Sequence, residues 1–531
     1  MNPHAFTKSA RRLLMALAAM SSILLIAGCG NSSSTTTPNP VGFTTASLTG
    51  TYVFSSQGFD NGGLPLAVAG ALVSNGTGGI TGGTMDVIDA GFTTIPATAA
   101  QAITSGSYAI ASDGRGQASL TSAYGTYIFD FVLTSTSHGL VSEFDGHGDG
   151  SGTLDLQAAV ASQSALAGPY AFSLAGSDGS SNLAPFAAAG AFTLDQNGNI
   201  TTGTGIEDFN DAAVVGNEPL TAGAATLGSG TGPGAVPLAI SSFPNAAFDF
   251  YPIDAAHWKL IETDYNDFLA GDAFTQTGAS TIPTAAMAFT MTGGIGSPIA
   301  AGGFVTVSGT SVTGTADVNA DGSVVTGTTI AGTASTPGAV GGRVVISFTD
   351  FNPATRLAVY PSSGGLLMLE TDQNNVTVGA AQLQAAGVAI GTSQAYGLSL
   401  SAFNTGGPND ENDIAQFTTS SGGFTGTVDV NDNFFTGNTA LASAAFSDTT
   451  ALAVDSTGRC QASTIAAGGA FVSFICYAVS SNTFLLLETD SNQIGVGTFE
   501  LQSAPSSAAV AHRAISMVRP MTRSHAVKRR N

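Results

Sequence analysis

The sequence predicts an all-β protein of four tandem units, each an eight-stranded up-and-down barrel. The composition is 43% hydrophobic and only 9% charged, with 68 glycines, and β-branched runs alternate with turn residues. Residues that favour long helices are scarce, which is typical of β structure. One hairpin sequence also occurs four times along the chain, so the chain reads as a repeated β domain.

The repeated hairpin defines the boundaries of the units. It ends at Gln157, Gln276, Gln384 and Gln502, a period of about 110–120 residues that is longer than a solenoid or propeller repeat. An aromatic opening strand and an internal element such as GTVDVNDN recur in the same order. We therefore expect four domains with their own cores, over residues 48–157, 166–276, 286–384 and 394–502.

The strand pattern inside a unit favours a barrel. The last unit contains about eight strand-like runs joined by short turns, as in up-and-down barrels. The pattern resembles avidin- and lipocalin-like (calycin-like) barrels. A β-sandwich in each unit is the alternative.

The N-terminus has the features of an export signal. A basic segment, MNPHAFTKSARR, precedes an apolar core that is too short to span a membrane. IAGC at Ile26–Cys29 resembles the lipobox of bacterial lipoproteins, and the body resembles repeat-containing surface lipoproteins. The resemblance implies that residues 1–28 are removed, that Cys29 carries lipid, and that Gly30 directs the protein to the outer membrane. An ordinary secretory signal with an incidental cysteine is the alternative.

Both flanks of the body differ from it in composition. Residues 29–47 are rich in Ser, Thr and Pro and predict a tether. Residues 503–531 are basic and contain no acid, so they predict a disordered tail or a segment that contacts an anionic surface. The net charge is −22, and all 36 acidic residues lie between Asp60 and Glu500. Such a body repels phosphate, which argues against nucleic-acid binding.

The repeated hairpin has Glu-x-Asp at the end of its first strand. Strand alternation places both carboxyl groups on one face, where they could hold a cation, with calcium as the candidate cofactor. Alternatively, Asp starts the turn and Glu accepts backbone donors or lies at a barrel rim. The four pairs are Glu143 and Asp145, Glu262 and Asp264, Glu370 and Asp372, and Glu488 and Asp490.

Two cysteines of the last unit predict a disulfide. Cys460 and Cys476 are equidistant from Gly468, so a turn at AGG would place them opposite each other across a hairpin. Directly opposed cysteines are within disulfide range, and an exported protein meets oxidising conditions. Two buried free thiols are the alternative.

The remaining motifs do not indicate a metal site or a catalytic site. DVNADG, DQNGN and DVNDN imitate half of a calcium loop, but they lack its final Glu and also match hairpin turns. The chain contains no G-x-S-x-G, H-E-x-x-H or Walker A sequence. We therefore do not predict an enzyme.

The function expected from the sequence is that of a lipid-anchored envelope protein. Its four β domains would form a structural or adhesive surface array, whose repeated weak contacts add up. The alternative is that each barrel binds a small ligand, a glycan or a cation. The expected partners are the membrane, through the N-terminal lipid, and glycans or other surface proteins.

Overall fold

The computed structural model describes residues 42–91, 100–212, 214–264, 266–278, 280–351, 354–405, 410–433, 439–463, 465–467 and 473–503. The predicted signal peptide, Cys29 and the basic tail beyond Ser503 lie outside these residues. Among the described residues, no helix is long and apolar enough to cross a membrane.

Units 1 and 3 are closed antiparallel barrels. In unit 1 the sheet order is β2-β1-β9-β8-β7-β6-β5-β3, and β2 also pairs with β3, while the short β4 pairs with β3. Unit 3 closes in the same way from β18 to β25. The strands of unit 1 are β1 (Thr49–Phe59), β2 (Pro65–Asn75), β3 (Gly79–Asp89), β4 (Gln101–Ala102), β5 (Ser105–Ile110), β6 (Arg115–Ser122), β7 (Gly125–Leu133), β8 (His138–Glu143) and β9 (Ser151–Leu156). Those of unit 3 are β18 (Met287–Gly293), β19 (Ile299–Ser308), β20 (Ser311–Ala320), β21 (Ser323–Ala334), β22 (Val344–Phe348), β23 (Thr355–Ser362), β24 (Gly365–Glu370) and β25 (Thr377–Leu383).

Units 2 and 4 are open, half-barrel versions of the same meander. Their orders are β13-β12-β11-β10-β17-β16-β15-β14 and β30-β32-β33-β34-β26-β27-β28-β29-β31. The strands of unit 2 are β10 (Gly168–Ser177), β11 (Pro185–Leu194), β12 (Ile206–Asp211), β13 (Val214–Pro219), β14 (Gly234–Pro237), β15 (Ala247–Asp254), β16 (His257–Glu262) and β17 (Phe268–Thr275). Those of unit 4 are β26 (Ala395–Asn404), β27 (Asp410–Ser420), β28 (Gly423–Asn433), β29 (Thr439–Asp448), β30 (Arg459–Ala462), β31 (Ala466–Ala467), β32 (Phe474–Ala478), β33 (Thr483–Glu488) and β34 (Gln493–Leu501).

The all-β prediction is confirmed, and so is the repetition of eight-stranded units. In every unit the opening strand pairs with both the second and the last strand, as an up-and-down barrel requires. The barrel is complete in units 1 and 3, whereas the sheets of units 2 and 4 remain open at one side.

Aromatic residues of the opening strands fill the interiors by packing across glycine. Phe54 lies opposite Gly70 in unit 1, and Phe172 lies opposite Gly190 in unit 2. A Cβ atom added at either glycine would come within 2.8 Å or less of the facing ring. The absence of a side chain therefore lets the ring lie against the neighbouring strand.

The second strands are buried on both faces. In β11, seven consecutive residues from Pro185 to Ala191 are buried, and most of them are alanine. One face of the strand points to the interior of unit 2, and the other packs on unit 3 through Ala187, Ala189 and Ala191. Small side chains let two sheets approach closely, so the alanine runs mark surfaces between units.

Two flanking segments belong to the folded body. In residues 42–47, which the sequence assigns to the tether, Phe43 is buried in the core of unit 1 and Thr45–Ser47 form a 3-10 turn. A second 3-10 turn, Gln163–Leu166, precedes unit 2, and its Leu166 is buried there.

Cys460 and Cys476 lie directly opposite each other on β30 and β32. Their Cα atoms are 4.9 Å apart, and the two residues form a disulfide. Both side chains are buried in the core of unit 4. The bond therefore joins an edge strand to the rest of the open sheet.

Candidate functional site: the contacts that join the four units

The four Glu-x-Asp pairs occupy the same place in each unit. Glu143, Glu262, Glu370 and Glu488 are the last residues of β8, β16, β24 and β33, and all four are buried. Each Asp accepts a hydrogen bond from the backbone N–H two residues later. These bonds run from His147 to Asp145 (2.8 Å), from Asn266 to Asp264 (2.9 Å), from Asn374 to Asp372 (3.0 Å) and from Asn492 to Asp490 (2.8 Å).

Burial raises the pKa of the glutamate side chains. Desolvation, followed by the negative charge of the neighbouring Asp, holds the pKa of Glu143 and Glu488 well above the usual range. Burial raises the pKa of Glu370 to about 8, although Thr377 donates a hydrogen bond to its Oε2 at 2.7 Å. Burial therefore favours the protonated, uncharged form of these side chains.

A buried asparagine from the preceding unit binds the backbone of this turn. In unit 3, Asn319 Nδ2 lies 3.1 Å from the carbonyl oxygens of Glu488 and Asp490 in unit 4, and 2.8 Å from that of Gln493. Asn210 of unit 2 makes the same contacts to unit 3, at 2.9 Å from the Glu370 oxygen. The turn therefore serves as a docking element between units.

The glutamine that ends each hairpin forms a second contact. Its amide donates to backbone carbonyls of the following unit. Gln157 reaches Pro252 (2.8 Å), Gln276 reaches Gly341 (2.7 Å) and Pro361 (2.8 Å), Gln384 reaches Thr457 (2.9 Å), and Gln502 reaches Asp113 (2.7 Å) and Leu133 (2.8 Å). The recurrence of this glutamine thus has a structural cause, because it donates to backbone carbonyl oxygens across each boundary.

An aspartate on the third strand of a unit forms the third contact. Asp317 of unit 3 accepts from the Tyr477 hydroxyl at 2.7 Å and pairs with the Arg459 Nε at 3.1 Å, both in unit 4. Asp208 of unit 2 pairs in the same way with Arg343 and Tyr360 of unit 3. These charge-assisted bonds are largely removed from water, which strengthens them.

The same contacts join the last unit to the first. Asn431 of unit 4 binds the carbonyl oxygens of Glu143 (2.7 Å) and Gly148 (3.1 Å) in unit 1. Asp429 lies 3.6 Å from the Arg115 guanidinium, and Gln502 binds unit 1 as described above. The contacts therefore form a closed circuit through units 1, 2, 3 and 4.

The boundary between units 1 and 2 is the exception to this pattern. Ile88 lies opposite Ala67, just as Asn210 lies opposite Ala187, so an apolar side chain occupies the asparagine position. Ile88 packs with Ile261 of unit 2 in an apolar cluster. The aspartate contact persists, because the Tyr251 hydroxyl donates to Asp86 at 2.6 Å. Apolar contact replaces one polar contact here, and the boundary is retained.

Buried ionic groups occur at the boundary between units 4 and 1 and inside unit 2. His138 of unit 1 lies 2.6 Å from Asp155 and 3.2 Å from Glu500 of unit 4. Burial alone would lower the pKa of His138, but Glu500 and then Asp155 outweigh it and raise the pKa to about 10. In unit 2, Lys259 is fully buried and pairs with Asp272 at 2.8 Å. Such groups are stable in the interior only as pairs, so they fix the arrangement of the strands.

Two of the calcium-like strings, DVNADG and DVNDN, serve the same contacts, whereas DQNGN forms a local turn. In DVNADG, Asp317 binds Arg459 and Tyr477, and Asn319 binds carbonyl oxygens of unit 4. In DQNGN, Asp195 accepts from the backbone of Asn197 and Asn199 at 2.8 Å, as in a tight turn. Among the described residues, no group of three His, Cys, Asp or Glu side chains is placed to hold a metal ion.

Known proteins resemble this chain only weakly. No protein-family model matches the chain, and no curated protein matches it in sequence. Transferrin binding protein B from Haemophilus parasuis Hp5, a vaccine antigen solved as a double mutant, is 10% identical with a TM-score of 0.16; the match covers 89% of this chain and 98% of that one. Intact Ap-TbpB, with its N and C lobes, is 7% identical with a TM-score of 0.16 and the same coverage. A protein of the DUF3598 family from Nostoc punctiforme PCC 73102 is 9% identical with a TM-score of 0.13, covering 63% and 95%. Similarities at TM-scores this low do not establish a function for this chain.

We predict that Asn319→Ala lowers the free energy of unfolding by about 1–3 kcal/mol, because buried carbonyl oxygens of unit 4 lose their donor. Urea denaturation of the wild type and the variant measures this difference. Asn245→Ala is the matched control, because Asn245 lies in an exposed turn of unit 2, away from the docking turns, and should change stability by less than about 0.5 kcal/mol. Equal effects of the two substitutions would contradict the docking role.

We also predict that stability falls as the pH rises from 5 to 9. Between pH 4.5 and about 8, folded Glu370 holds a proton that the unfolded chain releases, so the free energy of unfolding decreases. His138 acts in the same direction between 6.5 and about 10, because its stabilising charge is lost as the pH rises. Each unit of pKa shift corresponds to about 1.4 kcal/mol, so the total change is on the order of a few kcal/mol.

Urea midpoints of wild type and Glu370→Gln at pH 5, 7 and 9 test this prediction. The glutamine variant should lose part of the decline, while Thr326→Ser, at an exposed residue without an ionisable group, should keep the wild-type slope. A wild-type protein that is equally stable or more stable at pH 9 would show that the buried groups titrate normally.

Proposed function

We propose that the chain is a lipid-anchored protein of the cell envelope whose four-unit body is a rigid structural or adhesive surface module. The observation that carries this proposal is the closed circuit of contacts from unit 1 through unit 4 and back. A string of independent domains would not need buried donors at every boundary. The circuit instead suits a body that presents one fixed surface.

The sequence supports the location of this module. The Ile26–Cys29 motif and the Ser/Thr/Pro-rich segment after it would attach the body to a membrane through lipid and a short tether. Gly30 favours the outer membrane under the sorting pattern of such lipoproteins. The acidic composition suits cationic or glycan-bearing partners and disfavours nucleic acid.

The recurring carboxyl pairs support a structural role. Glu143, Glu262, Glu370 and Glu488 are buried, and their turns contact neighbouring units or the buried strands beside them. A catalytic or transport role would need these groups to meet a substrate. Their positions instead stabilise the assembly of units, so we propose that the body has no enzymatic activity.

Attachment and exposure are tested by expressing the full chain in a Gram-negative host. We expect the wild type to incorporate labelled palmitate, to fractionate with the outer membrane and to be cleaved by protease added to intact cells. Cys29→Ser should abolish labelling and release the chain from membranes. Gly30→Asp should keep the label and shift the protein to the inner membrane, which makes it the matched control for sorting.

A cell-attachment assay tests the adhesive role. Cells that display the wild type should attach to glycan- or protein-coated surfaces more than cells with Cys29→Ser. Equal attachment would leave a purely structural module. Membrane fractionation of Cys29→Ser identical to wild type would overturn the anchor itself.

A further inference from the structure

Aromatic side chains fill the interior of unit 4. Tyr396 lies opposite Phe417, Phe417 lies opposite Gly426, and Gly426 lies opposite Phe446 on the next strand. The Tyr396 and Phe417 rings stack at 5.4 Å between centroids, and Phe446 lies 5.8 Å from Phe417. All three side chains are buried. These rings therefore occupy the space that a ligand would need.

Unit 3 has smaller side chains at the matched positions. Met287 lies opposite Val305, Val305 lies opposite Gly314, and Gly314 lies opposite Ile330. The register is the same as in unit 4, so Met287, Val305 and Ile330 replace three aromatic residues. Unit 3 is a closed barrel. The space left by its smaller side chains is therefore enclosed by eight strands.

Unit 3 contains a cavity of about 380 Å³, and Val305 and Ile330 lie on its wall. Its walls are mainly apolar and include Phe289, Met291, Val305, Ile330, Phe348 and Met368. Since a cavity of 150 Å³ holds benzene, the volume accommodates roughly 15 non-hydrogen atoms by the same ratio. It also falls in the range of small-molecule sites, about 300–1,000 Å³.

The cavity has an opening with polar groups beside it. Val325, which lines the cavity, is 56% exposed although it is apolar, and Asp350 beside it is exposed too. Asn375 and Glu370 of the docking turn line the same cavity. Asn210 of unit 2 holds this turn through the carbonyl oxygens of both residues, so the neighbouring unit fixes one wall of the opening.

The charges around the cavity restrict what it can hold. Asp350 and Glu370 are the ionisable residues among its described lining, which contains no Lys, Arg or His. An anion would meet no counter-charge there and would lose its hydration. Burial raises the pKa of Glu370 to about 8, so at neutral pH this wall is uncharged and can accept an uncharged molecule.

We propose that unit 3 is a binding site for an uncharged, mainly hydrocarbon molecule of about 15 non-hydrogen atoms, held in the barrel interior with its polar end near Asn375. The other units keep aromatic interiors and serve the assembly. This inference goes beyond the surface role, since it assigns one unit a ligand of its own and does not depend on the lipid anchor.

Fluorescence titration with N-phenyl-1-naphthylamine, an uncharged apolar probe, tests the proposal. The protein is the full chain with Cys29→Ser, which avoids lipid attachment and detergent. We expect saturable binding at one site per chain. Val305→Phe and Ile330→Phe introduce the aromatic residues that unit 4 has at these positions, and each should weaken binding at least tenfold. Thr306→Ala, on the outward face of the same strand, should bind like the parent chain.

Competitive displacement of the probe tests whether the site prefers an uncharged ligand. Dodecan-1-ol should displace the probe at pH 7 at a concentration at least tenfold lower than dodecanoate, because the carboxylate finds no cation in the cavity. Circular dichroism verifies the fold of each variant, and if one filling variant fails to fold, the other and the displacement pair still decide. The absence of saturable binding, unchanged binding in a folded filling variant, or equal displacement by both compounds would overturn the proposal.

Discussion

The structure depends on side-chain amides that donate to backbone carbonyl oxygens across each boundary between units. A buried carbonyl without a donor is costly, and three of the four closing turns take their donor from a neighbouring unit. Asn210, Asn319 and Asn431 provide it for three of the turns, and the four closing glutamines provide it for the neighbouring segments. The energetic consequence is that the units stabilise one another.

Apolar packing and ion pairs also join the units, and the amount of each differs from one boundary to the next. Between units 2 and 3 and between units 3 and 4, alanine-rich or aliphatic faces pack together. Between units 4 and 1 the apolar contacts are small, comprising Phe59 with Phe403 and Val132, Leu140 and Ile414. The polar contacts of Asn431, Gln502 and the His138 cluster therefore contribute a larger share there. Arg115, Arg343 and Arg459 all pair with an aspartate of another unit, so most of the few basic residues of the body serve its assembly.

Much of the fold could be predicted from the sequence because the signals are local. Turn residues between β-branched runs define strands, and four copies of one hairpin define four units. The turn-starting role of the Asp in Glu-x-Asp could be predicted, whereas the docking role of the turn could not, since the asparagines that bind its backbone lie 160 to 288 residues away in another unit. The alanine run of β11 was a usable signal, because a strand without polar alternation is buried on both faces. The cavity of unit 3 could be recognised only with the register known, which aligns Val305 with Phe417 and Ile330 with Phe446.

We infer that contacts between the last and the first unit hold the four units as one rigid body. Electron spin resonance distance measurement tests it most directly, with spin labels at exposed Thr126 in unit 1 and exposed Asn482 in unit 4. A second pair, at Thr126 and exposed Thr221 in unit 2, reports on a boundary that chain connectivity already enforces. A closed circuit of units gives a single narrow distance distribution for both pairs. A broad distribution for the pair between units 1 and 4, beside a narrow one for the other pair, would show that the circuit is open and that the four units are not one rigid body.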